Sequence, residues 1–113
     1  MKEKNNPLLG RWRIIQADLW DRDYLDLVGP ACLTVQADGS GEITFGAMQA
    51  SLSIGYGLDN IDFTWEGSDE GDEVQGSGYA ELLDDGSLQI EIEYQDGDEA
   101  TLKAIRPTSS AAC

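Results

Sequence analysis

Apolar and polar residues alternate with a period of two along most of this 113-residue chain, and short Asp-Gly turns interrupt the alternation. A strand sends successive side chains to opposite faces, so each alternating run reads as a strand with one apolar face. GRWRIIQA sets Trp12 and Ile14 against Arg11 and Arg13, and LTVQAD sets Leu33, Val35 and Ala37 against Thr34 and Gln36. EITF contributes Ile43 and Phe45, MQASLSIGY runs from Met48 to Tyr56, and IDFTWE contributes Ile61, Phe63 and Trp65. LQIEIEY alternates most cleanly, with Leu88, Ile90, Ile92 and Tyr94 against Gln89, Glu91 and Glu93. ATLKAIR ends the series with Leu102, Ala104 and Arg106 on one side, while GYAELL, between them, is ambiguous.

The connections carry turn chemistry. DGSG at 38–41, DDGS at 84–87 and DGD at 96–98 supply glycine where φ must be positive and aspartate that bonds its own backbone. Gly46-Ala47 reads either as a tight turn or as a bend within one long strand. Only DRDYLDLVGP looks helical: Asp21 can cap, Asp23 suits the first turn, and Gly29-Pro30 can end it after about two turns.

Eight short strands, each with one apolar face and no covering helices, must bury that face against themselves. The expected fold is all-β: a closed up-and-down antiparallel β-barrel of about eight strands, with one short helix between the first two. Closure also removes both free edges; a two-sheet β-sandwich is the alternative. The length suits a single domain over 1–113, with a core at 8–106 and flexible tails at 1–7 and 107–113.

Composition excludes several chemistries. The formal net charge is -15, and no Lys or Arg occurs from Asp23 to Leu102. Such a body repels phosphate backbones and anionic membranes, so neither direct nucleic-acid binding nor membrane attachment is expected. Histidine is absent, which removes imidazole general bases, Ser-His-Asp and Cys-His nucleophiles and most zinc sites. Paired carboxylates could still run acid/base catalysis, but only Glu81 is a candidate for the interior, so no enzymatic activity, catalytic residue or cofactor is expected. The first residues lack an apolar stretch of signal-peptide length, and Cys32 and Cys113 read as two separate thiols rather than a disulfide framework. A cytoplasmic location is expected on both grounds.

LLGRWRI, with Gly10 and Trp12, resembles the Gly-x-Trp opening of the calycin barrels: lipocalins, fatty-acid-binding proteins and avidins. That resemblance implies that the tryptophan plugs one barrel end, with a basic residue of the last strand across it. Arg106 is the matching position, and guanidinium over indole is a favourable cation–π pair. It also implies a small apolar ligand in the barrel interior, where Tyr56, Tyr79 and Tyr94 would be the polar handles. More broadly, the stretches W-x-x-D-Y-L-x-L-x-G-P-A, G-S-G-E-x-x-F-G and W-E-G-x-D-E-x-D are similar to a family of small bacterial proteins of unknown function, a likeness that carries no activity.

The acidic, almost apolar-free WEGSDEGDEVQGSG, residues 65–78, reads as a strand end and a charged hairpin loop at 67–76. If Gly46-Ala47 is a turn, connections 18–32, 46–47, 67–76 and 95–99 share one rim. Asp21, Asp23, Asp26, Asp69, Glu70, Asp72, Glu73, Asp96, Asp98 and Glu99 would gather there, with only Arg22 near enough in sequence to offset them. DEGDE lacks the acid ladder and distal Glu of an EF-hand, so no metal site is assigned. The rim instead suits a basic protein partner steered by the summed field, with Asp69, Glu70, Asp72, Glu73, Asp96 and Asp98 as contacts. Trp20 and Tyr24, with Leu25 and Leu27, either close that rim or add an apolar docking patch.

Overall fold

Each alternating run forms a strand in the computed structural model, which describes residues 6–18, 22–26 and 29–107. In chain order these are β1 (Gly10–Ala17), α1 (Arg22–Leu25), β2 (Cys32–Val35), β3 (Ser40–Phe45), β4 (Met48–Tyr56), β5 (Asn60–Asp69), β6 (Asp72–Leu82), β7 (Leu88–Tyr94) and β8 (Glu99–Ile105). Every strand pairs antiparallel with its sequence neighbour, and β8 returns to β1 to close the barrel. The closing seam carries a register shift between Ile14 and Gln16. Such an irregularity bends the strand locally.

The three Asp-Gly turns share one device. Asp38 and Asp85 each accept two hydrogen bonds on one carboxylate oxygen, from the backbone N–H and the hydroxyl of Ser40 and Ser87 respectively. Among the described residues, Asp96 accepts one hydrogen bond, from the backbone N–H of Asp98 at 3.1 Å. Gly39, Gly86 and Gly97 hold φ of 89°, 88° and 103°, a region open to glycine at little cost.

The inward faces fill the barrel. Leu33, Ile43, Ile61, Leu88 and Ile90 expose no surface at all, so no water-sized void abuts them. β6 supplies mostly small inward residues, Gly76, Gly78 and Ala80, and large rings from β5 occupy the space they leave. Trp65 lies opposite Gly76 and Phe63 opposite Gly78. This resolves the ambiguity of GYAELL: Ala80 is buried, Glu81 takes the outward register, and so does Tyr79. Tyr79 is therefore not an interior handle, and Glu81 is not an interior acid.

At one end, the Arg106 guanidinium lies 3.9 Å from the centre of the Trp12 ring and donates to the carbonyls of Pro7, Leu9 and Arg11. The indole N–H of Trp12 donates to Leu8 O at 3.0 Å. Gly10, at φ 108°, leaves room for the arginine, because a Cβ there would sit 2.9 Å from Arg106 Nη1. Asn6 is buried, donates to Gly57 O at 2.8 Å, and accepts from Leu8 N–H at 2.8 Å. Asn6 and Pro7 thus belong to the folded body, not to a flexible tail; the rest of that tail, and residues 108–113, lie outside the described residues.

Three further expectations change. The described helix is a single turn, with Leu25 fully buried against the barrel; its expected cap, Asp21, lies outside the described residues, as do Trp20 and Leu27. The acidic stretch is not a loop from 67 to 76: β5 and β6 stay paired as far as Asp69 and Asp72, and only Glu70-Gly71 turn. Both turn residues have positive φ, 54° and 89°, the conformation that suits the twist of a two-residue hairpin. Backbone pairing there needs no apolar side chains, which is why alternation in hydrophobicity ends before the strands do. Finally, Cys32 is disulfide-bonded, and Cys113, the chain's other cysteine, lies outside the described residues. The expected compartment therefore loses the support it drew from free thiols. No helix among the described residues is long and apolar enough to cross a membrane.

Candidate functional site

The base-free stretch of sequence spans β2 to β7 whole, so most of the barrel wall presents carboxylates and small polar groups with no cation of its own. Register sets these in rows across the outer face. Ser51 of β4 lies opposite Glu66 of β5, and Glu66 opposite Gln75 of β6, whose carbonyl accepts from Gln95 N–H at 2.9 Å. One step along, Ser53, Thr64, Ser77 and Glu93 align, and Glu93 meets Glu99 of β8 directly.

Two adjoining hollows follow these rows. One of about 700 Å³ is walled by Glu66, Gly67, Glu73, Val74 and Asp96, and one of about 600 Å³ by Ser53, Thr64, Ser77 and Glu93. Ser51, Glu66, Gln75, Tyr94 and Gln95 border both. Backbone also packs closely at two glycines of this region. A Cβ on Gly67 would lie 1.9 Å from Gln49 O, and one on Gly76 2.0 Å from Glu93 O. Only glycine lets neighbouring backbone approach so closely, and small hydroxyl side chains leave the floor open.

The barrel end beside this groove is the acidic rim. Gly46 and Ala47 form a true turn, so the β1–β2, β3–β4, β5–β6 and β7–β8 connections share that end. Tyr24 covers the turn: a Cβ on Gly46 would lie 2.4 Å from its ring. Burial first, then the charges of Asp69 and Glu70, push the Tyr24 hydroxyl above its ordinary pKa. Tyr94 stands edge-on to Trp65, ring centres 5.1 Å apart, with its hydroxyl 3.9 Å from Met48 Sδ. Its pKa is pushed up to about 12, by burial first and then by Asp69, Tyr24, Asp96 and Asp98.

The six acids expected to act together are thus divided. Asp69 continues the inward register of β5 at the mouth, beside Tyr24 and Tyr94, with Asp72 its cross-strand neighbour and Glu70 at the hairpin tip. Glu73 and Asp96 instead wall the outer groove, and Asp98 lies in the β7–β8 turn. Asp26 leaves the rim group altogether: Arg13 of β1 holds it with two hydrogen bonds, at 2.9 and 2.7 Å, and Ala31 N–H donates to it as well. The segment after β1 folds back with α1 onto that strand, which brings Asp26 to its arginine, a pairing that nearness in sequence did not suggest.

Tyr56 does not serve as an interior handle either. Its hydroxyl donates to Gln36 O and accepts from Gly39 N–H, pinning the β2–β3 turn to β4 at the opposite end. Outward Tyr79 is pushed above its ordinary pKa by partial burial, then by Glu81 and Asp59. Sequence reasoning missed Glu66, Glu93 and the hydroxyl row. Their alternation with Phe63, Trp65 and Ile92 was visible, but which outward positions become neighbours depends on register. Among the described residues, no three metal-ligating side chains converge on a point that could hold an ion. In comparison with known proteins, the chain matches no family model and no curated protein.

Proposed function

We propose that this chain is a non-enzymatic binding module that receives a basic protein partner on the outer face of β4–β7 and the adjoining acidic rim. The observation that carries this reading is the groove: two adjoining hollows bordered between them by Glu66, Glu73, Glu93 and Asp96, on a wall that contains no Lys or Arg. Carboxylates across a partner's ammonium or guanidinium groups raise the association rate and set register, whereas the serine and threonine row lets a partner chain lie close. Mimicry of double-stranded DNA is one version, in which the spaced carboxylates occupy the cleft of a nucleic-acid-binding protein. The closed barrel with Arg106 over Trp12 supports a calycin-like reading of the scaffold. The other expectation, a small apolar ligand inside, would have to displace side chains, since the interior is packed.

The test is titration with lysine- and arginine-rich peptides, and with basic proteins captured from the source cells, at low and high salt. Binding that weakens steeply as salt rises supports the reading, because screening falls on exposed charge pairs. Affinity indifferent to salt, or no binding to any cationic probe, refutes it. Competition by duplex DNA for the captured partner separates the mimicry version from a general basic surface.

A further inference from the structure

The three Asp-Gly turns form an internal comparison, because their backbones match while the grip on the aspartate differs. In all three the glycine N–H is engaged: Gly39 donates to the Tyr56 hydroxyl, Gly86 to Leu83 O, and Gly97 to Tyr94 O, at 2.9, 3.0 and 2.9 Å. The nitrogen side therefore does not distinguish them. On the carboxyl side, one oxygen of Asp38 is held by Ser40 N–H at 3.1 Å and Ser40 Oγ at 2.6 Å, and one oxygen of Asp85 by Ser87 N–H at 2.9 Å and Ser87 Oγ at 2.6 Å. Position 98 is an aspartate, which has no hydroxyl to offer at neutral pH, so among the described residues Asp96 keeps a single 3.1 Å bond.

We infer that Asp96 is a site of spontaneous isoaspartate formation, protected at Asp38 and Asp85 by the serine two residues on. The chemistry needs no co-reactant beyond water. The Gly97 nitrogen attacks Cγ of the protonated Asp96 side chain, a C–N bond forms, and the side-chain hydroxyl leaves with the amide proton as one water. Water then adds to the α-carbonyl of the five-membered imide, and the C–N bond there breaks. The peptide link now runs through the side-chain carbon, and the former α-carbonyl becomes the free carboxylate.

To reach Gly97 N, the carboxyl of Asp96 gives up one hydrogen bond, whereas that of Asp38 or Asp85 must give up two. The two clamped aspartates also hold their protons less readily than usual, through the same serine bonds, and the protonated acid is the reactive form. Asp96 matters because it walls the hollow of about 700 Å³ and sits in the turn closed by Tyr94 N–H on Asp98 O at 2.7 Å. An added methylene in that backbone moves a carboxylate of the groove. Ageing would therefore alter the face described above; the modification itself does not depend on that face having a partner.

The test is to incubate the folded protein at neutral pH and elevated temperature, below its melting point. Isoaspartate is then located by peptide mass mapping and by enzymatic methylation of isoaspartyl carboxylates. The expected result is accumulation in the peptide containing Asp96, several-fold faster than at Asp38 or Asp85. Ser40→Ala and Ser87→Ala should each raise the rate at their own aspartate toward that of Asp96, and Asp96→Glu should abolish the main product. Equal rates at the three turns, faster conversion at Asp38 or Asp85, or serine variants that change nothing would each overturn the assignment. So would no conversion at Asp96 while the denatured chain converts under the same conditions.

Discussion

Phe63 of β5 lies directly opposite Gly78 of β6, and its ring fills the place where a side chain would begin: a Cβ on Gly78 would stand 2.4 Å from Phe63 Cζ. Gly78→Ala must therefore push the ring or the strand, and the carbonyl of Glu91, 2.8 Å from the same point, blocks the other way out. Overpacking of this kind costs about 1–3 kcal/mol, to be read from denaturant midpoints. Gly29→Ala, where nothing lies within 4 Å and φ is not positive, is the matched control and should change little. If both substitutions are equally mild, the ring-over-glycine packing is not what holds this part of the barrel.

Arg106 joins a stack on Trp12 to three backbone carbonyls. Arg106→Lys keeps the charge but loses the planar fork, so it should destabilise nearly as much as Arg106→Ala, by about 1–3 kcal/mol. Tryptophan fluorescence should change in both variants as the cation leaves the indole. Full rescue by lysine would show that charge alone suffices.

Tyr94 predicts an alkaline limb. Its folded pKa, about 12, exceeds the ordinary value of 10.0, so the fold disfavours the tyrosinate. The stability it contributes is complete below pH 10 and is lost as pH rises from there toward 12. Chemical denaturation across that window should show a falling midpoint, and Tyr94→Phe should flatten the fall. An unchanged slope in the variant would place the effect elsewhere.

Asp38 and Asp85 predict an acid limb of opposite origin. Hydrogen bonds from Ser40 and Ser87 hold both below the usual 3.8, so their contribution is complete above that pH and disappears as pH falls through their folded values. Ser40→Ala combined with Ser87→Ala should reduce the loss of stability measured between mildly and strongly acidic solution. A double variant with the same acid dependence as the parent chain would contradict this.

Glu93 and Glu99 face each other across β7 and β8. Like charges directly opposite destabilise a strand pair, so Glu99→Lys should raise stability by about 0.2–1 kcal/mol, with the gain shrinking in high salt. The same change should weaken capture of a basic partner. Unaltered stability at low salt would count against a repulsive pair.

The pattern of hydrophobicity made the eight strands and their turns legible, because a strand in a one-sided sheet must alternate and a tight turn must contain residues that tolerate positive φ. Trp12 and Arg106 were legible through likeness to the calycin opening. The acidic hairpin was misjudged in extent, since Ser68, Asp69, Asp72 and Glu73 stay in strand through backbone bonds that leave no mark on hydropathy. Period two did hold one overlooked clue, the small residues Gly76, Gly78 and Ala80 set two apart, which are the inward row of β6.

Which faces turn inward is a local property, written in the order of residues and imposed by strand geometry. Which outward residues meet is not local, since the fold-back of α1 onto β1 brings Asp26 to Arg13, and strand register sets Ser51, Glu66 and Gln75 in one row. Water accepts any arrangement of outward polar side chains, so hydropathy alone says nothing about their neighbours. Only the pairing of backbones around the barrel decides them.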